Sequence, residues 1–359
     1  MSWCCRVPGK AVLMGEYAVT DGLSAYALAV DRCAEISLTP CSSDQASLRA
    51  PQVWPDPIRF RIHDNRVIDW DSGGDGWPRI SWTAGLIDRL VEVLKPERLT
   101  PFRLTIDTSS LFIEHRGQRS KLGLGSSSAI AVGLFRVLAE HLARHESVAP
   151  NELLQILLPI YQDAQQGQGS GIDLATAIHG GMIEFSNQTG KTTTRSFERP
   201  EGLLLDFAWT GRPASTPALL ARYRQWQRAR PDQAADWHRT AAGLLGQGAA
   251  ALTRGDADEL VRLLAEYGRR MSTMGRSMGV DLTPDKHKKI MQRAEGLGLA
   301  AKPSGAGVGD LAVIAGTCVE AMEEMRRWLQ VEDIARVEMS LAANGARCEG
   351  VRRKMPDSD

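Results

Sequence analysis

The sequence predicts a mixed α/β (α+β) protein of about two domains. Three observations carry this expectation. The chain has 359 residues, and at roughly 150 residues per domain that length suggests two domains. Segments of strand character and segments of helical character alternate through its N-terminal half. Beyond Pro217 the pattern turns mostly helical and rich in Arg, Gln and Ala.

The elements follow in order. In "VPGKAVLMGEYAV" (Val7 to Val19), Pro8-Gly9 reads as a turn, with a strand running on toward Gly15-Glu16. "AEISLTP" (Ala34 to Pro40) and "PIRFRI" (Pro57 to Ile62) alternate apolar and polar residues, the pattern of half-buried strands. "WDSGGDGWPRI" (Trp70 to Ile80) is dense in turn formers and reads as a loop. A helix is expected from Ser81 to Leu94, where Leu86, Leu90, Val93 and Leu94 recur at helical spacing. "PFRLTIDTSS" returns to strand. A helix from about Ser126 carries Ile130, Leu134, Val137 and Leu138 on one face, and another covers Asn151 to Gln166. "GGMIEFS" and "GLLLDFAWTG" read as strands on either side of the polar "NQTGKTTTRSFERP", the candidate boundary between residues 1–190 and 191–359. Arg222, Arg224, Arg228 and Arg230 are expected on a solvated helical face. "DLAVIAG" (Asp310 to Gly316) reads as a short buried strand before the amphipathic helix "CVEAMEEMRRWLQ".

Composition narrows the function classes. The apolar fraction is 43% and the charged fraction 24%, ordinary for a soluble globular protein. The formal net charge is zero, so nothing marks a nucleic-acid or anionic-membrane partner. Six scattered cysteines include no CxxC pair, which leaves a zinc site unsupported and fits a reducing cytoplasm. The N-terminus lacks a charged region followed by an apolar one. The uncharged stretches fall short of the about 20 residues that a membrane span needs. The expectation is a soluble cytoplasmic protein, monomer or homodimer.

Three glycine-rich constellations carry the chemistry. In "KLGLGSSSAIAVGLF" (Lys121 to Phe135), glycines let a backbone approach a ligand, and serines precede a helix whose N-terminus suits an anion. Taken alone, this stretch admits a capped helix as readily as a phosphate cradle. It lacks the GxxxxGK[ST] pattern of a Walker A loop. Lys10 lies beside Pro8-Gly9, where an ammonium can act as a point charge on phosphate. "AKPSGAGVGDLAVI" (Ala301 to Ile314) places Gly305, Gly307 and Gly309 before a strand. It does not fit GxGxxG, so a dinucleotide fingerprint is rejected.

In order and spacing, the three resemble the GHMP kinases from Val7 to Asp310, across nearly the whole chain. "VPGKAVLMGEYAV", "GLGSSSA" and "KPSGAGVGD" look like the first, second and third motifs of that family. "AQQGQGSGIDLA", "WTGRPASTPALL" and "LGLAAKPSGAGVGD" resemble segments of its phosphomevalonate kinase branch. Two departures stand out: Val308 replaces a glycine, and Ser128 stands where alanine is usual.

The resemblance implies an N-terminal lobe like the second domain of ribosomal protein S5 and a ferredoxin-like C-terminal lobe. ATP and a small-molecule acceptor, phosphomevalonate in that branch, would meet between them. Asp173 matches the catalytic aspartate and Lys10 its cationic partner. A carboxylate is a weak base at neutral pH, so this pairing implies orientation and charge neutralisation. Lys121, Gly123, Leu124, Gly125, Ser126 and Ser127 would bind the ATP phosphates, with Ser127 offering its hydroxyl to Mg²⁺. A second metal ligand is not evident; "YQDAQQ" offers Gln162 or Asp163. Tyr17, Ser215, Ser304, Gly305, Ala306 and Gly307 are candidates for the acceptor side. Lys302 flanks the third loop as another candidate for phosphate. His179 is expected to be packed, and "DKHKK" (Asp285 to Lys289) to be an exposed helix start.

Overall fold

Two sheets organise the chain, and the longest strand runs through the middle of the larger one. The computed structural model describes residues 1–142, 148–165, 169–211 and 216–351. The chain begins with strands β1 (Ser2–Met14), β2 (Ala25–Pro40), β3 (Ser47–Ala50) and β4 (Trp54–Arg59), then the small hairpin β5 (Arg61–His63) and β6 (Arg66–Ile68). Helix α1 (Trp77–Leu94), strand β7 (Phe102–Asp107) and the hairpin β8 (Phe112–His115) and β9 (Gln118–Lys121) lead into helices α2 (Ser126–His141), α3 (Pro150–Ala164) and α4 (Ile172–His179). Strands β10 (Met182–Gln188) and β11 (Lys191–Phe197) follow. Then come β12 (Leu204–Trp209), helices α5 (Thr216–Ala229), α6 (Pro231–Arg254), α7 (Ala257–Ser277) and α8 (Asp285–Gly296), strands β13 (Ala300–Ser304) and β14 (Leu311–Gly316), helix α9 (Val319–Val331) and strand β15 (Arg347–Val351).

The large sheet has the order β11-β10-β2-β7-β3-β4, with β1 joined to β2 and β15 to β1. Strand β2 holds it together. Its first half pairs with β10 and its second with β7, while β1 runs antiparallel along its length. The first half of β2 is continuously buried and the second alternates. Helices α2 and α4 pack on β1 and β2, which accounts for the unbroken apolar run. The smaller sheet has the antiparallel order β12-β14-β13, with α7 and α8 against β13 and β14, and α9 against β12 and β14.

Most elements expected from the pattern are present, and the differences have local causes. Pro8-Gly9 is not a turn. Strand β1 passes straight through it, with a shift of register against β2 between the two residues, so the pair makes an irregularity rather than an end. The expected strand from Pro57 to Ile62 is split at Phe60 between β4 and β5. Helix α1 begins before Ser81 because Pro78, read as a loop former, sits in the first helical turn, where proline is tolerated. Most of "NQTGKTTTRSFERP" is strand β11 and its turn, paired residue by residue with β10. Arg222, Arg224, Arg228 and Arg230 are exposed, as expected. All six cysteines are free. No helix among the described residues is long and apolar enough to cross a membrane.

Candidate active site

The site forms where the irregularity in β1 meets the start of α2. Gly9 lies under Leu124; a methyl group there would come within 3.0 Å of the Leu124 side chain and 3.1 Å of the Arg32 carbonyl. That closeness lets Lys10 N donate to Leu124 O at 2.9 Å. The ammonium of Lys10 donates to Gly123 O at 3.1 Å. The first and second glycine-rich segments are therefore held together by main chain and side chain at once. The third closes on the second from the other side. Gly123 has φ 75°, and a side chain there would run into the Asp310 carboxylate.

The N-terminus of α2 is built for an anion. Gly125 precedes the helix with φ 78°, and no side chain caps the first turn. The first backbone N–H groups of the helix thus stay available to a negatively charged ligand. Leu124 is buried, so only its backbone faces such a ligand. Ser126 and Ser127 are half-buried in the first turn. Ser128, the residue that departs from the family pattern, is buried, and its hydroxyl donates to Gly125 O at 2.7 Å. The departure adds a bond that closes the turn. Lys121 is exposed at the end of β9 and does not line the cavity described next.

That cavity, of about 150 Å³, opens beside the turn. Its lining includes Lys10, Glu16, Tyr17, Asp173, Gly305 and Ala306 together with the apolar Val12, Val19, Ala25, Ile172 and Leu220. Asp173 enters from the first turn of α4, whose preceding Gly171 is left-handed. Its Oδ1 accepts from Leu174 N at 3.0 Å. The Lys10 and Asp173 side chains flank Gly125. They form no ion pair with each other; the ammonium is turned to the Gly123 carbonyl instead.

The acceptor-side candidates divide. Gly305, Ala306 and Tyr17 line the cavity, but the Tyr17 hydroxyl is spent on Ala306 O at 2.5 Å. Tyr17 thus fastens the third loop and offers the cavity its ring. Ser304 is buried, accepts from Val12 N at 2.9 Å and does not line the cavity. It joins β13 to β1. Gly307 likewise lies off the cavity, packed against the Leu282 backbone. Ser215 lies outside the described residues. Of the two candidates for a second metal ligand, Asp163 is exposed and paired with Arg89 at 2.8 Å. The Gln162 amide donates to Gly169 O at 3.3 Å. Among the described residues no three His, Cys, Asp or Glu side chains cluster to hold a metal ion.

Lys302 is not a phosphate ligand. It is completely buried, and its ammonium is bonded to Glu16 Oε1 and to Pro303 O. Burial pushes its pKa down, against the pull of the Glu16 charge. Glu16 Oε1 also accepts from Gly305 N at 3.2 Å, so this pair pins the third loop to the end of β1. His179 is packed as expected, with burial lowering its pKa. Helix α8 starts at Asp285 with Asp285, Lys286, Lys288 and Lys289 exposed, as expected, while His287 in the same turn is wholly buried.

Sequence reasoning missed one residue at the centre of the site. Tyr161 on α3 places its hydroxyl 2.9 Å from Ser127 Oγ and 2.8 Å from Asp173 Oδ2. Tyr161 continues the buried face of α3 formed by Leu153, Leu154, Leu157 and Leu158, and that spacing carries no signal of its hydroxyl's partners.

The profile of the GHMP kinases N-terminal domain matches residues 85–181, the span that contains the α2 turn, Tyr161 and Asp173. Residues 85–181 are a GHMP kinase N-terminal domain. The likeness extends well beyond that span. The chain is 28% identical over 337 residues to the phosphomevalonate kinase of Streptomyces sp. strain CL190, covering 86% of this chain and 88% of that one. The structure resembles the Lin0012 protein from Listeria innocua with a TM-score of 0.83 at 22% identity, covering 97% and 99% of the two chains. It also resembles the Streptococcus pneumoniae phosphomevalonate kinase solved with phosphomevalonate and AMPPNP, with a TM-score of 0.74 at 16% identity over 95% and 99%. These likenesses establish the two-lobed GHMP kinase fold.

Proposed function

We propose that the protein transfers the γ-phosphoryl group of ATP to (R)-5-phosphomevalonate, giving 5-diphosphomevalonate and ADP. The protein is an ATP-dependent phosphotransferase of the GHMP kinase type, and the specific acceptor is the step proposed here. One observation carries it: Lys10, Asp173 and the third glycine-rich loop line one cavity, and the Lys10 and Asp173 side chains flank Gly125 at the uncapped start of α2, in a chain whose relative over 86% of its length is a phosphomevalonate kinase.

Phosphoryl transfer asks a protein chiefly for positioning and charge stabilisation. The backbone from Gly123 to Ser127 supplies N–H donors for the ATP phosphates. Lys10 Nζ is close enough to the loop to neutralise charge that develops on the moving phosphoryl group. Asp173 faces the cavity, where it orients the acceptor. An acceptor oxygen forms the new bond to phosphorus as the bond to ADP breaks, and any proton on that oxygen passes to Asp173. The residues fit a Mg²⁺ held mainly by nucleotide phosphates, with Ser127 as a protein oxygen ligand, because Mg²⁺ keeps waters and takes few protein ligands. The ion would supply charge neutralisation across the phosphates.

A second reading is favoured by the charge of the pocket. Lys10 is the one cation among its described lining residues, which suits an acceptor without a phosphate, such as mevalonate. The test is ADP release with Mg-ATP across mevalonate, phosphomevalonate, diphosphomevalonate and several sugars. The highest kcat/KM is expected on phosphomevalonate; a preference for mevalonate would replace the reading with the second. Asp173→Asn and Lys10→Met should each lower turnover by about two orders of magnitude or more while the fold survives. Near-normal turnover in either variant would remove its assigned role.

A further inference from the structure

Tyr161 is only 4% exposed, and its hydroxyl bridges the two sides of the site. A phenol carries one proton, and a carboxylate can only accept. The Tyr161 proton therefore points to Asp173 Oδ2, and Ser127 must donate its own proton to the phenol oxygen. The order Ser127 to Tyr161 to Asp173 has two consequences. The Ser127 proton is turned away from the phosphate turn, which leaves that oxygen's lone pairs for a hard cation. The Asp173 carboxylate is held at both oxygens, Oδ1 by Leu174 N and Oδ2 by Tyr161, which fixes its plane toward the cavity.

We infer that Tyr161 is a positioning residue that couples the two halves of the site, holding Ser127 as a lone-pair donor on the nucleotide side and Asp173 in one orientation on the acceptor side. The inference rests on the kinase reading for its effect on turnover, and its binding arm stands apart from that reading. A group behind the ligating residues in this way is worth about tenfold to a hundredfold in metal affinity or activity.

The experiment uses Tyr161→Phe, which keeps the ring in its buried space and removes the hydroxyl. Affinity for a non-hydrolysable ATP analogue is measured by calorimetry with and without Mg²⁺. Wild type should gain affinity from Mg²⁺, and the variant should lose about tenfold of that gain while its Mg²⁺-free affinity is unchanged. In ADP release, kcat should fall by about tenfold or more with acceptor KM little changed. Adding Tyr161→Phe to Ser127→Ala should produce no further loss of the Mg²⁺ gain, because the two act through one chain of bonds. A purely structural tyrosine would lower the melting temperature and leave both the Mg²⁺ gain and kcat at wild-type values; that result overturns the inference. Tyr161→Met removes the same hydroxyl with a more compliant side chain and carries the test if the Phe variant does not fold. Were wild type to phosphorylate none of the acceptors, the kinase reading would fail, and the calorimetric comparison would still decide the role of Tyr161 toward Ser127.

Discussion

Lowering the pH should destabilise this protein through one buried histidine. His287 lies in the first turn of α8, completely buried, and neither ring nitrogen has a hydrogen-bond partner among the described residues. Burial, opposed by the Leu311 backbone and reinforced by the positive charge of Lys302, lowers its pKa from 6.5 to about 4. In the unfolded chain the ring takes up its proton at the ordinary value. Between the two values the unfolded state binds more protons than the folded one, so stability falls as pH falls. Above pH 6.5 the contribution is flat. Each pH unit within the window is worth about 1.4 kcal/mol, so the loss reaches about 2 kcal/mol by about pH 5 and about 3 kcal/mol once the folded-state value is passed. The assay is urea unfolding of wild type and His287→Leu at about pH 7.5 and about pH 5. Other titrating groups, including the half-buried His141 and His179, act in both proteins and cancel in the difference. The stability gap should move by about 2 kcal/mol in favour of the variant at the lower pH. An unchanged gap would refute the assignment of His287 as a neutral, desolvated ring.

Three further outcomes follow from the geometry. Ser128→Ala removes the bond to Gly125 O and should cost about 1 kcal/mol in unfolding free energy, with a several-fold weaker calorimetric affinity for the ATP analogue; unchanged stability would make the bond dispensable. Lys302→Met leaves Glu16 buried without its partner and should cost about 3–5 kcal/mol, while Lys302→Met with Glu16→Gln should recover most of it in the same melting experiment. Val308 holds a β-branched residue at φ 71°, a conformation that costs an L-residue about 1–2 kcal/mol. Glycine is free of that strain but loses about 0.5–1 kcal/mol in chain entropy, so Val308→Gly should raise stability by up to about 1.5 kcal/mol; a clear fall in melting temperature would show that the valine side chain's packing outweighs the strain.

The three glycine-rich segments were legible because each needs residue types that are rare together. Positive φ, close backbone approach and an anion-ready helix start demand glycine and small polar residues at fixed spacing. Helix α2 and the second half of β2 were legible because one buried face leaves a period in the sequence. The first half of β2 was not, since burial on both faces erases the period and leaves an apolar run that fits strand or helix equally. Strand β13 was hidden for a related reason: Lys302 sits inside it, completely buried, and an isolated lysine signals solvent until its carboxylate partner is seen.

The sequence by itself determined the fold class and singled out the glycine-rich turn before α2, Lys10 and Asp173 as the residues proposed for the site, because local conformation and family spacing are written residue by residue. Tertiary structure decided what each polar group does once its neighbours arrive. It turned Lys10 to the Gly123 carbonyl, gave Ser128 the Gly125 oxygen and spent Tyr17, Ser304 and Lys302 on fastening the third loop. It brought Tyr161 between Ser127 and Asp173, and it returned β15 to pair with β1. A hydroxyl or an ammonium has no role until burial removes water as its partner, and which protein atom then replaces water depends on contacts between residues far apart in the chain.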